Sequence, residues 1–169
     1  MRSAPVGVRR WAYVGFGANL GDPASTLQAA AAELGKTAGT ITAGSHIYRS
    51  RPIGFTAQPD FQNAAARLET ALAPEALLDA LLALEARFGR VRDIRFGPRT
   101  LDLDLLCYEG EVRDDERLML PHPRAHEREF VLRPLAELDP DLELRGASVA
   151  TWLARLEPQG VEPTGEPLM

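Results

Sequence analysis

The chain contains a single cysteine, Cys107, and a single lysine, Lys36, in 169 residues. A lone cysteine cannot close an internal disulfide, so nothing in the sequence calls for an oxidising compartment or a stapled framework. Of the 19 basic residues, all but Lys36 are arginine, and 24 acidic ones leave a net charge of −5. That acidic balance argues against a general nucleic-acid binder, which carries a basic excess. Aromatics amount to only 7%, and the K/R-G-F/Y-G/A-F-V-x-F/Y pattern of an RNA-reading sheet is missing. Long apolar runs are missing too: none approaches the ~18 residues that a membrane span needs. The start, MRSAPVGVRR, has arginine but no apolar stretch behind it. No secretory signal is therefore expected, and the chain reads as cytoplasmic, without membrane or nucleic-acid partners.

What is present is the balance of an ordinary globule, 45% hydrophobic and 25% charged. No repeat or linker interrupts residues 11–156, which read as one domain, with 1–10 and 157–169 as flexible termini. Trp11 to Phe16 suits a buried strand, and Gly17 to Gly21 a turn. Asp22 caps a helix that Pro23 opens and Gly35 stops, with Leu27, Ala30, Ala31 and Leu34 as its apolar stripe. Thr40–Ser50 reads as one strand, 51–59 as a loop, and Asp60–Ala71 as a strand despite its alanines. Pro74 opens a second helix that ends at Gly89; 90–99 is a charged loop and Thr100–Tyr108 a strand. Glu109-Gly110-Glu111 predicts a hairpin turn, and short helices follow at Phe130–Leu138 and, capped by Ser148, at Val149–Leu156. The order predicts an α+β protein: a ferredoxin-like βαββαβ sandwich with an added hairpin and C-terminal helices.

The sharpest chemical signal is Thr100-Leu101-Asp102-Leu103-Asp104-Leu105-Leu106. On a strand Asp102 and Asp104 share a face, about 6.5–7 Å apart, with Leu101, Leu103 and Leu105 turned to the core. Two anchored carboxylates make a platform for Mg²⁺, which prefers oxygen ligands and keeps waters for phosphates to replace. An isolated pair of this kind is more often an incidental exposed face. Here, however, five arginines (87, 90, 92, 95 and 99) lie directly upstream. Guanidinium groups bind phosphate oxygens through paired donors, so the juxtaposition fits a nucleoside triphosphate. For Arg87 and Arg95, pairing with Glu85 or Asp93 is an equal alternative. Gly15 to Gly21 spells G-x-G-x-x-x-G, not a dinucleotide fingerprint, and there is no G-x-x-x-x-G-K-[ST] loop. His122 and His126 lack the context of a zinc site, and no nucleophile triad can be assembled.

Four segments, YVGFGANLGD (13–22), QPDFQNAA (58–65), RFGPRTLDLDLL (95–106) and LPHPRAHEREFVLRPL (120–135), resemble the 6-hydroxymethyl-7,8-dihydropterin pyrophosphokinases of folate biosynthesis. Order and spacing agree over 12–156. The resemblance implies transfer of the diphosphoryl unit of ATP to the hydroxymethyl group of a dihydropterin, releasing AMP; a monomer is expected. It implies that Asp102 and Asp104 hold two Mg²⁺ ions bridging the ATP phosphates, and that Arg90 and Arg99 stabilise charge during transfer. Glu85, Arg92, Leu105, His122 and Arg128 fall at nucleotide positions. Phe61 and Phe130 match an aromatic pair that sandwiches the pterin, Asn63 its hydrogen-bonding partner, and Ser50, Ile53 and Gly54 the backbone lining. Taken singly, Phe61 and Phe130 read more readily as core, and Asn63 equally well as a capped strand edge. Phe96 and Phe61 stand where the family often has Trp and Tyr, and Ala18 where it has Ser. Two rivals remain: a kinase moving one phosphoryl group and yielding ADP, and a non-catalytic ferredoxin-like module.

Overall fold

The computed structural model describes residues 8–52, 56–89 and 100–169. Strand β1 (Arg10–Ala18) buries Ala12, Val14, Phe16 and Ala18 on one face and Tyr13 on the other. It runs through the predicted turn at Gly17-Ala18 and stops only at Asn19. That buried amide donates to Gln58 Oε1 at 2.8 Å and the Pro59 carbonyl at 2.9 Å, tying the strand end to the loop before β4.

Helix α1 (Pro23–Thr37) begins as its sequence predicts, with Asp22 accepting from the Ser25 N–H at 3.3 Å. It outruns Gly35 by two residues, since a single glycine costs helix stability without ending it. The stop comes at Gly39, where any Cβ would collide with the Glu69 carbonyl oxygen. The single strand expected over 40–50 is divided into β2 (Thr40–Gly44) and β3 (His46–Ser50). Ser45 causes the division: its hydroxyl accepts from the Ala65 N–H at 2.9 Å, in place of a regular ladder bond. Both pieces pair with β4 (Phe61–Thr70), the alanine-rich segment, which is indeed a strand. Its Ala64, Ala65 and Ala66 are buried, and their small side chains admit packed elements on both faces.

Helix α2 (Pro74–Arg87) presents Leu77, Leu81 and Leu84 to the core. Strand β5 (Asp102–Tyr108) directs Leu103 and Leu105 to the same core. Leu106 is a bulge, since Val14 pairs with Leu105 but Tyr13 with Cys107. The predicted hairpin at Glu109–Glu111 does not fold back on β5. Instead β6 (Arg113–Asp114) and β7 (Met119–Leu120) form their own two-stranded ladder, and Arg113 pairs with Glu111 and with Glu75 of α2. A turn of 3₁₀ helix (Ala125–Glu127) leads into α3 (Glu129–Leu138). A small hairpin of β8 (Glu143–Leu144) and β9 (Ala147–Ser148) turns on Arg145 and Gly146, both at positive φ, and precedes α4 (Val149–Arg155). Ser148 caps α4 as expected, accepting from the Thr151 N–H at 3.1 Å.

The tail from Glu157, expected to lack order, carries β10 (Glu162–Pro167) against the outer edge of β3. Composition misleads there: proline is tolerated on an edge strand, and Val161 and Leu168 anchor the segment by burial.

The described residues form a mixed α/β architecture of four helices on an antiparallel sheet in the order β10-β3-β4-β1-β5, with β2 also on β4. Helices α1 and α2 cover one face, while α3 covers the other, its Leu132 and Leu135 clustering with Tyr13, Leu106 and, from α4 packed on α3, Val149.

Candidate active site

Successive strand residues face opposite sides, so Gly15 and Gly17 of β1 share the face of Tyr13, away from the α1/α2 core. Gly17 lies between Asn63 of β4 and Asp102 of β5, and Gly15 between Ala65 and Asp104. A Cβ on Gly17 would sit 3.4 Å from Asn63 Oδ1 and 3.9 Å from Asp102 Cβ. The bare glycines leave a floor bordered by Asn63, Asp102, Asp104 and, from α3, Phe130.

The borders are fixed from behind. Leu101, Leu103 and Leu105 are all buried, anchoring the strand that carries the two partly exposed aspartates. Glu85 of α2, only 2% exposed, accepts from the Leu103 N–H at 2.7 Å, so the helix holds the peptide between the aspartates. Asn63 is also buried, and its Nδ2 donates to the buried Ser50 Oγ at 2.8 Å, which sets the amide's orientation.

Beside this floor opens a cavity of about 390 Å³ lined by Gly17, Ser50, Arg51, Phe61, Asn63, Asp102, Arg124, Glu127, Arg128, Phe130 and Gln159. It combines two aromatic rings, a fixed amide and several cations, the lining expected for a flat polar ligand carrying negative charge. The Arg128 guanidinium stands 5.7 Å from the centre of the Phe130 ring. His122 is tied to β5 by its backbone N–H, which donates to the Leu106 carbonyl at 2.8 Å. Its Nδ1 accepts from the Arg124 N–H at 3.2 Å. Burial, then the charge of Arg128, pushes the imidazole down to about 4, with Asp102 pulling weakly the other way. At neutral pH the ring is therefore uncharged with its proton on Nε2, a donor suited to an anionic oxygen.

Six of the residues expected from sequence line the one cavity: Ser50, Phe61, Asn63, Asp102, Arg128 and Phe130. Asp104 borders the adjoining floor, and His122 is near enough to feel the charges of Asp102 and Arg128. Leu105 directs its side chain into the α1/α2 core on the opposite face, and Glu85 sits behind β5. Arg87 pairs with Glu33 of α1 at 3.0 Å on the exposed surface, and Asp93 lies outside the described residues. Arg90, Arg92, Arg95, Phe96, Arg99, Ile53 and Gly54 lie outside the described residues.

Sequence reasoning missed Arg51, Arg124, Glu127 and Gln159. Arg124 and Glu127 sit inside a motif already singled out, so adjacency to Arg128 was a usable signal. Gln159 had none, lying in a segment read as tail. Gly15 and Gly17 were dismissed as a false nucleotide fingerprint, yet their spacing of two on a strand is the signal that one face is bare.

Among the described residues no group of three or more His, Cys, Asp or Glu side chains could hold a metal. A pair of carboxylates on one strand face nonetheless suits Mg²⁺, which commonly takes one or two carboxylates and completes its shell with phosphate and water.

The family model for 7,8-dihydro-6-hydroxymethylpterin-pyrophosphokinase (HPPK) matches residues 13–140. The chain belongs to this family. Among HPPK relatives, the 2-amino-4-hydroxy-6-hydroxymethyldihydropteridine pyrophosphokinase of Methylorubrum extorquens is 49% identical over 152 residues, covering 89% of this chain and 96% of its own. Those of Pseudomonas aeruginosa and Haemophilus influenzae are 46% and 43% identical, covering 89% and 85% of this chain and 94% and 91% of their own. A crystal structure described as HPPK-DHPS in complex with substrates superposes with a TM-score of 0.69 at 13% identity, covering 86% of this chain but 43% of that one. At that identity it speaks for the HPPK fold alone, and this chain spans less than half of the longer protein.

Proposed function

We propose that the chain transfers the diphosphoryl group of ATP to the hydroxymethyl group of 6-hydroxymethyl-7,8-dihydropterin, giving AMP and the dihydropterin diphosphate, a step of folate biosynthesis. The observation that carries this reading is the adjacency of the Asp102/Asp104 face to a cavity holding Phe61, Asn63, Arg128 and Phe130, in a chain of this family.

The hydroxymethyl oxygen attacks the β-phosphorus of ATP, the bond from that phosphorus to the α–β bridging oxygen breaks, and AMP leaves. The hydroxyl proton passes to solvent, and no protein base is assigned. Phe61 and Phe130 hold the pterin ring, and Asn63, kept in one orientation by Ser50, hydrogen-bonds its edge. Ile53 and Gly54 complete that lining in this reading. Asp102 and Asp104 hold two Mg²⁺ ions, which neutralise phosphate charge when bound. Arg128 and the Nε2–H of His122 meet phosphate oxygens, and Arg90, Arg92 and Arg99 supply further positive charge from the neighbouring segment. Leu105 contributes to the nucleotide side through its backbone. Glu85 acts there through the Leu103 peptide that it holds. Charge developing on the phosphoryl oxygens is thus met by fixed cations and donors, with positioning and electrostatics as the source of rate.

The scaffold for this chemistry is a ferredoxin-like sandwich. With β2 and β3 counted as two halves of one strand, a β-α-β-β-α-β order with β1 flanked by β4 and β5 supports that description. We assign the activity to one domain, expected over 11–156 and extended here by the tail that carries Gln159 and β10, acting as a monomer in the cytoplasm.

Nucleotide chromatography after incubation with ATP, Mg²⁺ and the dihydropterin alcohol tests the reaction. AMP is the expected product, whereas ADP would reassign the chain as a simple kinase. Asp104→Ala is expected to lower turnover at least ~100-fold while leaving the circular dichroism spectrum unchanged. Near-normal rates at saturating Mg²⁺ would remove Asp104 from the metal site.

A further inference from the structure

The family match ends at residue 140, yet the tail of the chain reaches the cavity at Gln159. Both ends of the Gln159 amide are spent on the segment that carries Arg128. Its Oε1 accepts from the Glu129 N–H at 3.0 Å, and its Nε2 donates to the Glu127 carbonyl at 3.1 Å. Glu129 returns the contact, its Oε1 accepting from the Gln159 N–H at 2.9 Å. Two bonds therefore grip the backbone on either side of Arg128, and a third ties the Glu129 side chain to the tail.

That stretch needs an external partner. Arg128 is the N-cap of α3, in extended conformation, and its side chain makes no capping bond. The first N–H groups of a helix have no partner within it, so the Glu129 N–H must find one elsewhere. Gln159 provides it, and the tail is itself held in place. Arg133 donates to the Val161 carbonyl at 3.0 Å, Val161 is buried, and β10 continues along β3. Gly160 lies beside Arg51 on the facing wall, where a Cβ would come within 3.8 Å of the arginine Cδ. The tail thus crosses from the start of α3 to the β3 side of the cavity.

We propose that Gln159 is a positioning residue for ATP: by clamping the peptides flanking Arg128, it holds that guanidinium where the nucleotide phosphates arrive. The inference rests on the reading of Arg128 as a nucleotide contact. It makes the C-terminal segment part of the site, although no residue of that segment touches the reacting atoms.

Steady-state kinetics on the full chain, with ATP and the dihydropterin alcohol varied separately, test the clamp. Gln159→Ala is expected to raise KM for ATP about 3–10-fold, the effect of losing exposed hydrogen bonds at a charged group, with KM for the pterin and Tm close to wild type. Glu129→Ala, which removes the returning acceptor, gives the same rise, and Glu129→Gln, which keeps it, reverses that rise. The double variant Gln159→Ala/Glu129→Ala is no worse than either single one, because both break one coupled unit. Glu162→Ala loosens the same tail at its pairing with Arg49 and leaves KM for ATP unchanged. An unchanged KM for ATP in Gln159→Ala would overturn the proposal. So would a fall in Tm together with a rise in both KM values, which marks general loosening. Failure of the functional reading shows in the wild-type product, and failure of the clamp only in the variants.

Discussion

At Gly17 the central strand passes between Asn63 and Asp102 with no side chain of its own, and the cavity floor exists because of that. A methyl group there has room to form, 3.4 Å from Asn63 Oδ1, but it occupies the space a ring edge needs. Gly17→Ala is therefore expected to fold with Tm within ~2 °C of wild type, since alanine in a strand is no less stable than glycine. Its affinity for 6-hydroxymethylpterin should fall ~10-fold or more in a fluorescence titration. Equal affinity would mean that the ring does not approach this floor. His122 yields a second test. Its folded value of about 4 lies below the ordinary 6.5, so between those values the unfolded chain binds more protons. Stability from this group is present above 6.5 and is lost as pH falls towards 4, by at most roughly 3 kcal/mol. His122→Asn should flatten the decline of Tm between those pH values, and an unchanged slope would assign the acid loss to other groups. The aspartate pair, the histidine and the arginine were legible as residue types in sequence. The value of an absent side chain at Gly17 was not, because it depends on which residues the sheet places on either side.

At the scale of elements, boundaries set by local chemistry were readable and those set by tertiary contact were not. Asp22, Pro23 and Ser148 act through bonds within a few residues, and both helix starts follow from them. Ser45 divides its strand by bonding to Ala65, and β10 forms because the edge of β3 accepts it. Neither partner is near in sequence, so composition alone favoured one strand and a loose tail. Glu85 illustrates the same dependence: that a buried acid on α2 also holds β5 is visible only through its bond to the Leu103 N–H. Removing that acceptor takes from the buried Leu103 N–H the carboxylate it donates to. Glu85→Ala is expected to cost about 1–3 kcal/mol in urea unfolding and to lower turnover, because Asp102 and Asp104 flank the released peptide. Glu85→Gln, which still accepts, should recover most of both. If the two variants behave alike, the carboxylate charge and not the bond is what α2 contributes.

For the whole molecule the question is how a chain of net charge −5 binds a polyanion. Residues 85–99 contain five arginines against Glu85 and Asp93, a local +3, which leaves −8 for the remainder. The described site adds Arg51, Arg124 and Arg128 around the cavity, opposed there by Asp102 and Glu127. Acidic charge elsewhere keeps the protein soluble at long range, while a phosphate within a few ångströms meets the local cations. Salt separates these two fields. Screening acts over about 10 Å at 0.1 M and 3 Å at 1 M, so added salt weakens distant repulsion and, at exposed sites, near attraction as well. If net charge governed nucleotide binding, KM for ATP would fall as NaCl rises, because repulsion is what screening removes. If the local arginines govern it, KM for ATP should rise several-fold between about 0.05 and 0.5 M NaCl at saturating Mg²⁺. The uncharged pterin serves as the internal control: its KM should change less than ~2-fold over the same range, since ring stacking and an amide bond to Asn63 carry little net charge. Measuring both constants in one salt series decides between the fields, and a falling KM for ATP would show that the arginine cluster does not set nucleotide affinity.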